Sequence, residues 1–133
     1  MLLDSRSFAK PVYKALKNLR GDLAKDDQIV KQQKSQAVQL YTYLSTWGLM
    51  RLKAEEKALN KTKGKQAVVE SFFKCLQKIW GDSKNNLSGE GGLDNLSGLS
   101  PDEYLGLTGL GLRIAQEYSF WATAIYHDVS GED

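Results

Sequence analysis

The sequence predicts an all-α protein, a compact bundle of five to six helices. Apolar residues recur at intervals of three and four along most of the chain, which is typical of amphipathic helices. The period-two alternation of a half-buried strand is absent over any useful length. A chain of 133 residues, with 41% hydrophobic and 26% charged residues, fits a single globular domain over residues 1–133.

The first two helices follow from these apolar stripes. The first is predicted over residues 7–24, with five apolar residues on one narrow face: Phe8, Val12, Leu16, Leu19 and Leu23. Asp26 or Asp27 offers an N-cap for a second helix, which runs to Trp47. The buried stripe of that helix includes Trp47, which predicts a core anchor at its end.

Gly48 is predicted to be a joint between two helices. The apolar stripes before and after it are displaced by about 100° around a common axis, so one straight helix could not bury both. A glycine cap in the left-handed conformation would provide the break. We therefore predict a short third helix from Leu49 to Leu59. A fourth follows over about residues 65–80, with its aromatic residues in the core.

The last third of the chain combines a polar segment with a long helix. Residues 81–99 are rich in Gly, Ser and Asn and predict a flexible loop, with a functional lid as the alternative. Ser100 to Glu103 form a capping box that begins a helix ending near Tyr126. Its apolar arc is wide, which predicts a central position. The helix also contains Gly106, Gly109 and Gly111. Because each costs about 1 kcal/mol relative to alanine, we expect close approach of a neighbouring helix or a kink.

The residues that catalysis requires are missing. His127 is the only histidine and Cys75 the only cysteine, so we predict no metal, no cofactor and no enzymatic activity. Cys75 lies on an apolar stripe and is predicted to be a packed core thiol. A single cysteine favours a reducing cytoplasm. No apolar run is long enough to cross a bilayer, so no membrane role is expected.

The charge is distributed unevenly. Residues 1–84 hold 17 Lys and Arg against 8 Asp and Glu, whereas residues 85–133 hold one against 8. The basic part suggests a polyanionic partner, and the acidic part suggests a basic neighbour or another copy of the chain. A solvated lysine-rich face without a ligand is the alternative.

Eight basic residues are the candidate contacts to a phosphate backbone. Three form a ridge on the first helix and five form a second cluster after the joint: Lys10, Lys14, Lys17; Arg51, Lys57, Lys61, Lys63, Lys65. Such a surface gives salt-dependent binding that does not depend on base sequence. No sequence-reading motif for DNA or RNA accompanies it.

Two short motifs resemble a known family. The segment from Leu44 to Leu49 is similar to a hinge in the small α-helical subunit of type III-B CRISPR effector complexes, the Cmr small subunit. The segment from Leu99 to Tyr104, with the helix after it, resembles the closing helix of that family. The resemblance covers roughly residues 30–127. The small subunit of another type III complex is similar enough to be an alternative.

The resemblance implies a non-catalytic role in antiviral defence. Subunits of this kind stack in several copies along a ribonucleoprotein, beside its other subunits. Their basic surface lines the channel that holds the duplex of guide RNA and target RNA. A helical protein–protein adaptor with no nucleic-acid role is the second hypothesis, and an enzyme of unknown type is the third.

Overall fold

The computed structural model describes residues 6–82 and 84–130, and these residues form seven α-helices and no strand. The helices are α1 Arg6–Arg20, α2 Gln28–Val38, α3 Leu40–Trp47, α4 Leu49–Ala58, α5 Lys63–Trp80, α6 Gly92–Ser97 and α7 Pro101–Ile125. The predicted all-α class is confirmed, but the predicted count of five to six helices is wrong. The predicted second helix is divided, and a helix lies within residues 81–99. Asp4, Ser83, Glu132 and Asp133 lie outside the described residues.

The division between α2 and α3 results from a side chain of α7. The Ser119 hydroxyl donates to the carbonyl oxygen of Ala37 at 3.2 Å and accepts from the amide of Tyr41 at 3.2 Å. These two groups would bond to each other in a continuous helix. Insertion of a side chain into the helical hydrogen-bond ladder is a common cause of a kink. The break at Gln39 is therefore a tertiary effect. The predicted N-cap at Asp27 is confirmed, since its carboxylate accepts from the amide of Ile29 at 2.8 Å.

The predicted joint at Gly48 is confirmed, but its conformation differs from the prediction. Gly48 has φ 88° and ψ 173°, which is an extended conformation with positive φ and not the left-handed helical cap. This region is accessible essentially only to glycine. The amide of Gly48 donates to the carbonyl of Leu44, and its own carbonyl accepts from Leu52. One residue therefore ends α3 and begins α4, and the Tyr104 hydroxyl accepts from the amide of Met50 at 3.1 Å.

The core is built around α5 and α7. Helix α5 packs against α1, α2, α4 and α7, and α7 packs against α1, α2, α3 and α5. The predicted core face of α5 is confirmed for its buried residues: Val68, Val69, Phe72, Phe73 and Leu76. The central position predicted for the last helix is also confirmed. Cys75 is 7% exposed, as predicted for a packed thiol.

Of two predicted helix boundaries, the start of the last helix is confirmed and the end of the first helix is not. The capping box of α7 is complete, with Glu103 and Ser100 each bonding the other's backbone amide. Helix α1 ends at Arg20 and not at residue 24, because Gly21 adopts a positive φ of 54°. Leu23, which was predicted to extend its apolar face, is exposed.

The glycines of α7 have different environments. A Cβ at Gly111 would lie 3.2 Å from Leu49, which confirms close approach of neighbouring residues at this position. A Cβ at Gly106 or Gly109 would meet nothing within 4 Å. Close packing therefore accounts for Gly111 alone.

The segment 81–99 is more structured than a loop. It contains α6, and Leu87 and Leu96 are buried in the core. The Gln77 side chain ties the segment to α5, since it accepts from the amide of Leu87 at 2.7 Å and donates to the carbonyl of Asp82 at 2.5 Å. The interpretation of residues 81–99 as a loop throughout is wrong at α6, because two leucines anchor it against the bundle.

A charged cluster joins α1 to the turn that follows α7. The Arg20 guanidinium donates to both carboxylate oxygens of Asp128, at 2.5 and 2.9 Å, and to the carbonyl of Ile125 at 2.8 Å. The hydrogen bond from Arg20 lowers the pKa of Asp128 to about 2. Nearby, the Tyr126 hydroxyl donates to the buried side chain of Gln33 at 2.8 Å. The basic and acidic parts of the chain therefore contact each other here.

Candidate functional site

A basic groove lies between α1 and α5. It encloses about 630 Å³, and three lysines line it, Lys14 from α1 with Lys74 and Lys78 from α5. The other lining residues are smaller polar groups, one acid and apolar side chains: Asn18, Ser71, Glu70, Pro11, Ala15, Leu19, Ala67 and Cys75. Three lysines against the single acid, Glu70, give the lining of this groove a net positive charge.

The three lysines of this basic groove are available to a ligand. Lys14, Lys74 and Lys78 are all exposed. Lys74 and Lys78 are four residues apart, so they lie on the same face of α5. Among residues 6–82 and 84–130, no carboxylate forms an ion pair with any of the three. Unneutralised cations at the edge of a groove concentrate anions there.

The predicted lysine ridge on α1 continues away from this groove. Lys10 and Lys17 are exposed, and the Lys17 ammonium lies 5.8 Å from the centre of the Tyr13 ring. Tyr13 in turn meets Trp121 of α7 edge to face at 5.4 Å. The ridge therefore spans the outer surface of α1, with Lys14 toward α5 and Lys17 toward α7.

The second predicted cluster does not join the basic groove. Arg51, Lys57, Lys61 and Lys63 are exposed and Lys65 is half-buried, but none of the five lines the groove. Arg51 and Lys57 lie on α4, Lys61 lies in the turn that follows, and Lys63 and Lys65 lie in the first turn of α5. The structure therefore divides the eight predicted contacts between two surfaces.

Lys53 lies between Arg51 and Lys57 in the sequence, but it does not belong to the exposed basic cluster. Its side chain is 3% exposed and pairs with Glu56 at 3.0 Å, while its ammonium lies 4.8 Å from the centre of the Phe73 ring. A paired and buried cation contributes little to the field outside the protein. Lys53 is a core residue of the α4–α5 contact.

Sequence reasoning missed Lys74 and Lys78 as site residues. Their spacing placed them on the polar face of a helix, which by itself predicts only a solvated surface. No local signal indicates that α1 lies beside this face. Their role in the groove follows from tertiary packing.

Cys75 lines the basic groove but has the properties of a packed thiol. Burial raises its pKa to about 11, because the desolvated thiolate is disfavoured. Burial likewise raises the pKa of Tyr118, whose hydroxyl lies 2.8 Å from that of Ser71. Within the described part of the chain, no group of three His, Cys, Asp or Glu residues could hold a metal ion.

Trp47 is not the core anchor that the sequence predicts. It is 50% exposed, and the Arg51 guanidinium stacks on its ring with 4.2 Å between the guanidinium carbon and the ring centre. The ring borders a second groove of about 410 Å³. We call it the Trp47 groove, and its lining residues come from the end of α2, the break at Gln39 and α3: Val38, Gln39, Thr42, Tyr43, Thr46 and Trp47.

These features define the protein as an all-α bundle with a lysine-lined groove and a separate exposed aromatic site. No family model, curated protein or solved structure matches the chain. Among the described residues, none of the helices combines the length and the apolar character that crossing a membrane requires.

Proposed function

We propose that this protein is a non-catalytic structural subunit of a type III CRISPR ribonucleoprotein. In this proposal it stacks along the complex beside further copies and other subunits. Its basic surface contacts the backbone of the duplex of guide RNA and target RNA, as part of cytoplasmic antiviral defence. Cleavage belongs to other subunits. The observation that carries the proposal is the groove between α1 and α5.

The charge and shape of the basic groove support a phosphate ligand. Three exposed lysines without ion-pair partners among the described residues line one concave surface, and Lys10 and Lys17 extend the positive charge along α1. Ammonium groups act as point charges and bind phosphates without selecting a base. A sequence-independent contact suits a subunit that must accept any guide.

The resemblance supports the assignment to this family. Its hinge motif coincides with the Gly48 joint, and its closing-helix motif coincides with the capping box of α7. Both motifs therefore lie at helix boundaries, where the backbone geometry restricts which residues can occur.

Binding of structureless RNA across a salt series tests the phosphate contact. We expect the affinity to fall as salt rises. The logarithm of the association constant should fall with the logarithm of the salt concentration, with a slope of about 0.7 for each phosphate contact to a single strand. The double variant Lys14→Glu/Lys74→Glu should weaken binding at least about tenfold and reduce this slope, because each reversal also repels the backbone. Fluorescence anisotropy measures both quantities.

A matched pair of reversals controls for net charge. Lys25 and Lys84 are exposed and lie outside the groove, so Lys25→Glu/Lys84→Glu changes the net charge equally. Equal loss in both double variants would reject the groove as the binding site. The variant Lys57→Glu/Lys61→Glu tests the second predicted cluster in the same assay.

Isolation of the tagged protein from its host tests membership in a complex. We expect RNA of uniform length and the products of neighbouring genes to co-purify with several copies of the chain. Recovery of the chain alone, under conditions that preserve ribonucleoproteins, would contradict the proposal.

One observation favours the adaptor hypothesis. Leu105 and Phe120 on α7 are 71% and 61% exposed, within the acidic part of the chain. Exposed apolar side chains mark protein contacts where they form contiguous patches, and the net negative charge of this part of the chain would attract a basic partner. An adaptor without an RNA role would show no salt-dependent binding of RNA.

A further inference from the structure

Trp47 differs from the other two tryptophans in its surroundings. Trp80 and Trp121 pack against the core, and the Trp121 indole donates to Glu117 at 3.0 Å. Trp47 is 50% exposed, although it is the last residue of α3 and lies beside the Gly48 joint. Trp47 is therefore a half-exposed indole at the boundary between two helices.

The Arg51 guanidinium stacks on this ring. The two residues are four apart across the joint, and the stacking distance is 4.2 Å. The guanidinium lies over one face of the ring, and the residue as a whole remains 50% exposed. The pair therefore places a cation directly against a half-exposed indole.

The Trp47 groove beside this pair is neutral and has hydrogen-bonding groups. The exposed side chain of Gln39 and the hydroxyls of Thr42 and Thr46 line it, and the Thr46 hydroxyl donates to the carbonyl of Thr42 at 2.8 Å. No acid lines the groove. The acid nearby, Glu55, accepts a hydrogen bond from the Tyr43 hydroxyl at 3.1 Å.

The ligand that fits these features is flat, aromatic and linked to an anion. Its ring would stack on Trp47, its polar edge would face the amide and hydroxyl groups, and its negative charge would approach Arg51. A nucleobase with its phosphate has these three properties, and base stacking on aromatic side chains tolerates any base. Bases within a duplex are already stacked, so the ligand must be an unpaired nucleotide.

We propose that Trp47 and Arg51 form a stacking platform for an unpaired base of RNA. This inference rests on the proposed function, because RNA is the ligand in both. It adds a contact that reads the presence of a base, whereas the basic groove contacts phosphates alone. The two surfaces share no lining residue, so they can be tested separately.

The test compares a short oligouridine with an abasic ribose–phosphate strand of the same length and charge. Wild-type protein should bind the oligouridine at least about fivefold more tightly, which is the lower limit of stacking on one aromatic side chain. Trp47→Ala should remove this preference and leave the affinity for the abasic strand unchanged. Fluorescence anisotropy at one low ionic strength measures all four affinities.

The controls separate stacking from general damage. Trp47→Phe keeps an aromatic ring and should retain most of the preference. Phe120→Ala removes another exposed aromatic residue, which does not line the Trp47 groove, and should retain all of it. Circular dichroism and thermal melting of each variant verify that the helices are intact.

The outcomes also separate this inference from the proposed function. Equal wild-type affinity for both strands, or equal loss of both in Trp47→Ala, would overturn the stacking platform and leave the phosphate contact standing. Binding of the oligouridine without any binding of the abasic strand would reject the phosphate contact and support the platform. Absence of binding to both strands would reject both, and would favour a protein ligand at Trp47.

Discussion

Two regions of this molecule give their lysines opposite environments, one exposed to solvent and the other buried. In the basic groove, Lys14 and Lys74 are exposed and form no ion pair with any described carboxylate. At the contact of α4 with α6, Lys53 is 4% exposed and is paired with Glu56. A Cβ added to Gly92 of α6 would collide with the Lys53 side chain, which shows how closely α6 covers it.

The difference shows that lysine density in a sequence does not measure surface charge. A buried lysine is tolerated where a carboxylate and an aromatic ring replace water, as Glu56 and Phe73 do for Lys53. The lysines of the basic groove keep their hydration and their field. A polyanion therefore meets only part of the positive charge that the first 84 residues carry.

The largest expected effect is the loss of the buried ion pair. Lys53→Met keeps the length of the side chain but leaves the Glu56 carboxylate without its cation at 15% exposure. We expect the free energy of unfolding to fall by about 3 kcal/mol. Urea denaturation followed by circular dichroism measures this change.

Two further variants test whether that effect is specific to Lys53. Lys74→Met, in the basic groove, should change the free energy of unfolding by less than about 0.5 kcal/mol, because Lys74 is exposed. Lys53→Met/Glu56→Gln should recover part of the loss, since no carboxylate then remains unpaired. Similar effects of Lys53→Met and Lys74→Met would contradict the distinction between the two regions.

A smaller effect is expected at the covering segment. In Gly92→Ala the new Cβ would collide with the backbone carbonyl of Leu87 as well as with Lys53. Because backbone must shift, we expect a destabilisation of about 2 kcal/mol. The neighbouring Gly91→Ala is the matched control, since its Cβ would lie 4.0 Å from the nearest atom, in Asn95. Equal stability of the two variants would show that α6 does not pack tightly over Lys53.

The smallest effect concerns Arg20, whose side chain is 15% exposed and pairs with the more exposed carboxylate of Asp128. The pKa of Asp128 is lowered to about 2 in the folded protein, from an ordinary value near 4. The contribution of this pair to stability is therefore complete above about pH 4 and is lost as the pH falls through 2.

The pH dependence of urea denaturation measures this loss. Between pH 5 and pH 2.5 the denaturation midpoint of the wild type should fall further than that of Arg20→Met. Parallel curves for the two proteins would show that Arg20 does not lower the pKa of Asp128.

Much of the fold could be predicted because its signals are local. The apolar stripe of α5, the Asp27 cap and the capping box of α7 each involve residues within a few positions of one another. The displacement between the apolar stripes before and after Gly48 predicts a joint there, but it does not predict the backbone conformation of this residue. Local periodicity determines which face of a helix is apolar, and the structure confirms that face for α5 but not for Leu23 or Trp47.

The candidate site was predictable only in part. Lys10, Lys14 and Lys17 share an exposed face of α1, as their spacing indicates. The basic groove, however, needs Lys74 and Lys78 from a helix more than fifty residues away. Nothing in the spacing of the chain states which helix packs beside which, so the groove could not be assembled from sequence.

By itself, the sequence determined that this protein is helical, approximately where α4, α5 and α7 begin and end, and that its charge is divided along the chain. Only the tertiary structure decided that Ser119 divides α2 from α3, that Lys53 is buried and that Trp47 is exposed. The physical reason is the same in each case. Helix formation depends on neighbours within one or two turns, whereas burial and hydrogen-bond partners depend on residues that are distant along the chain.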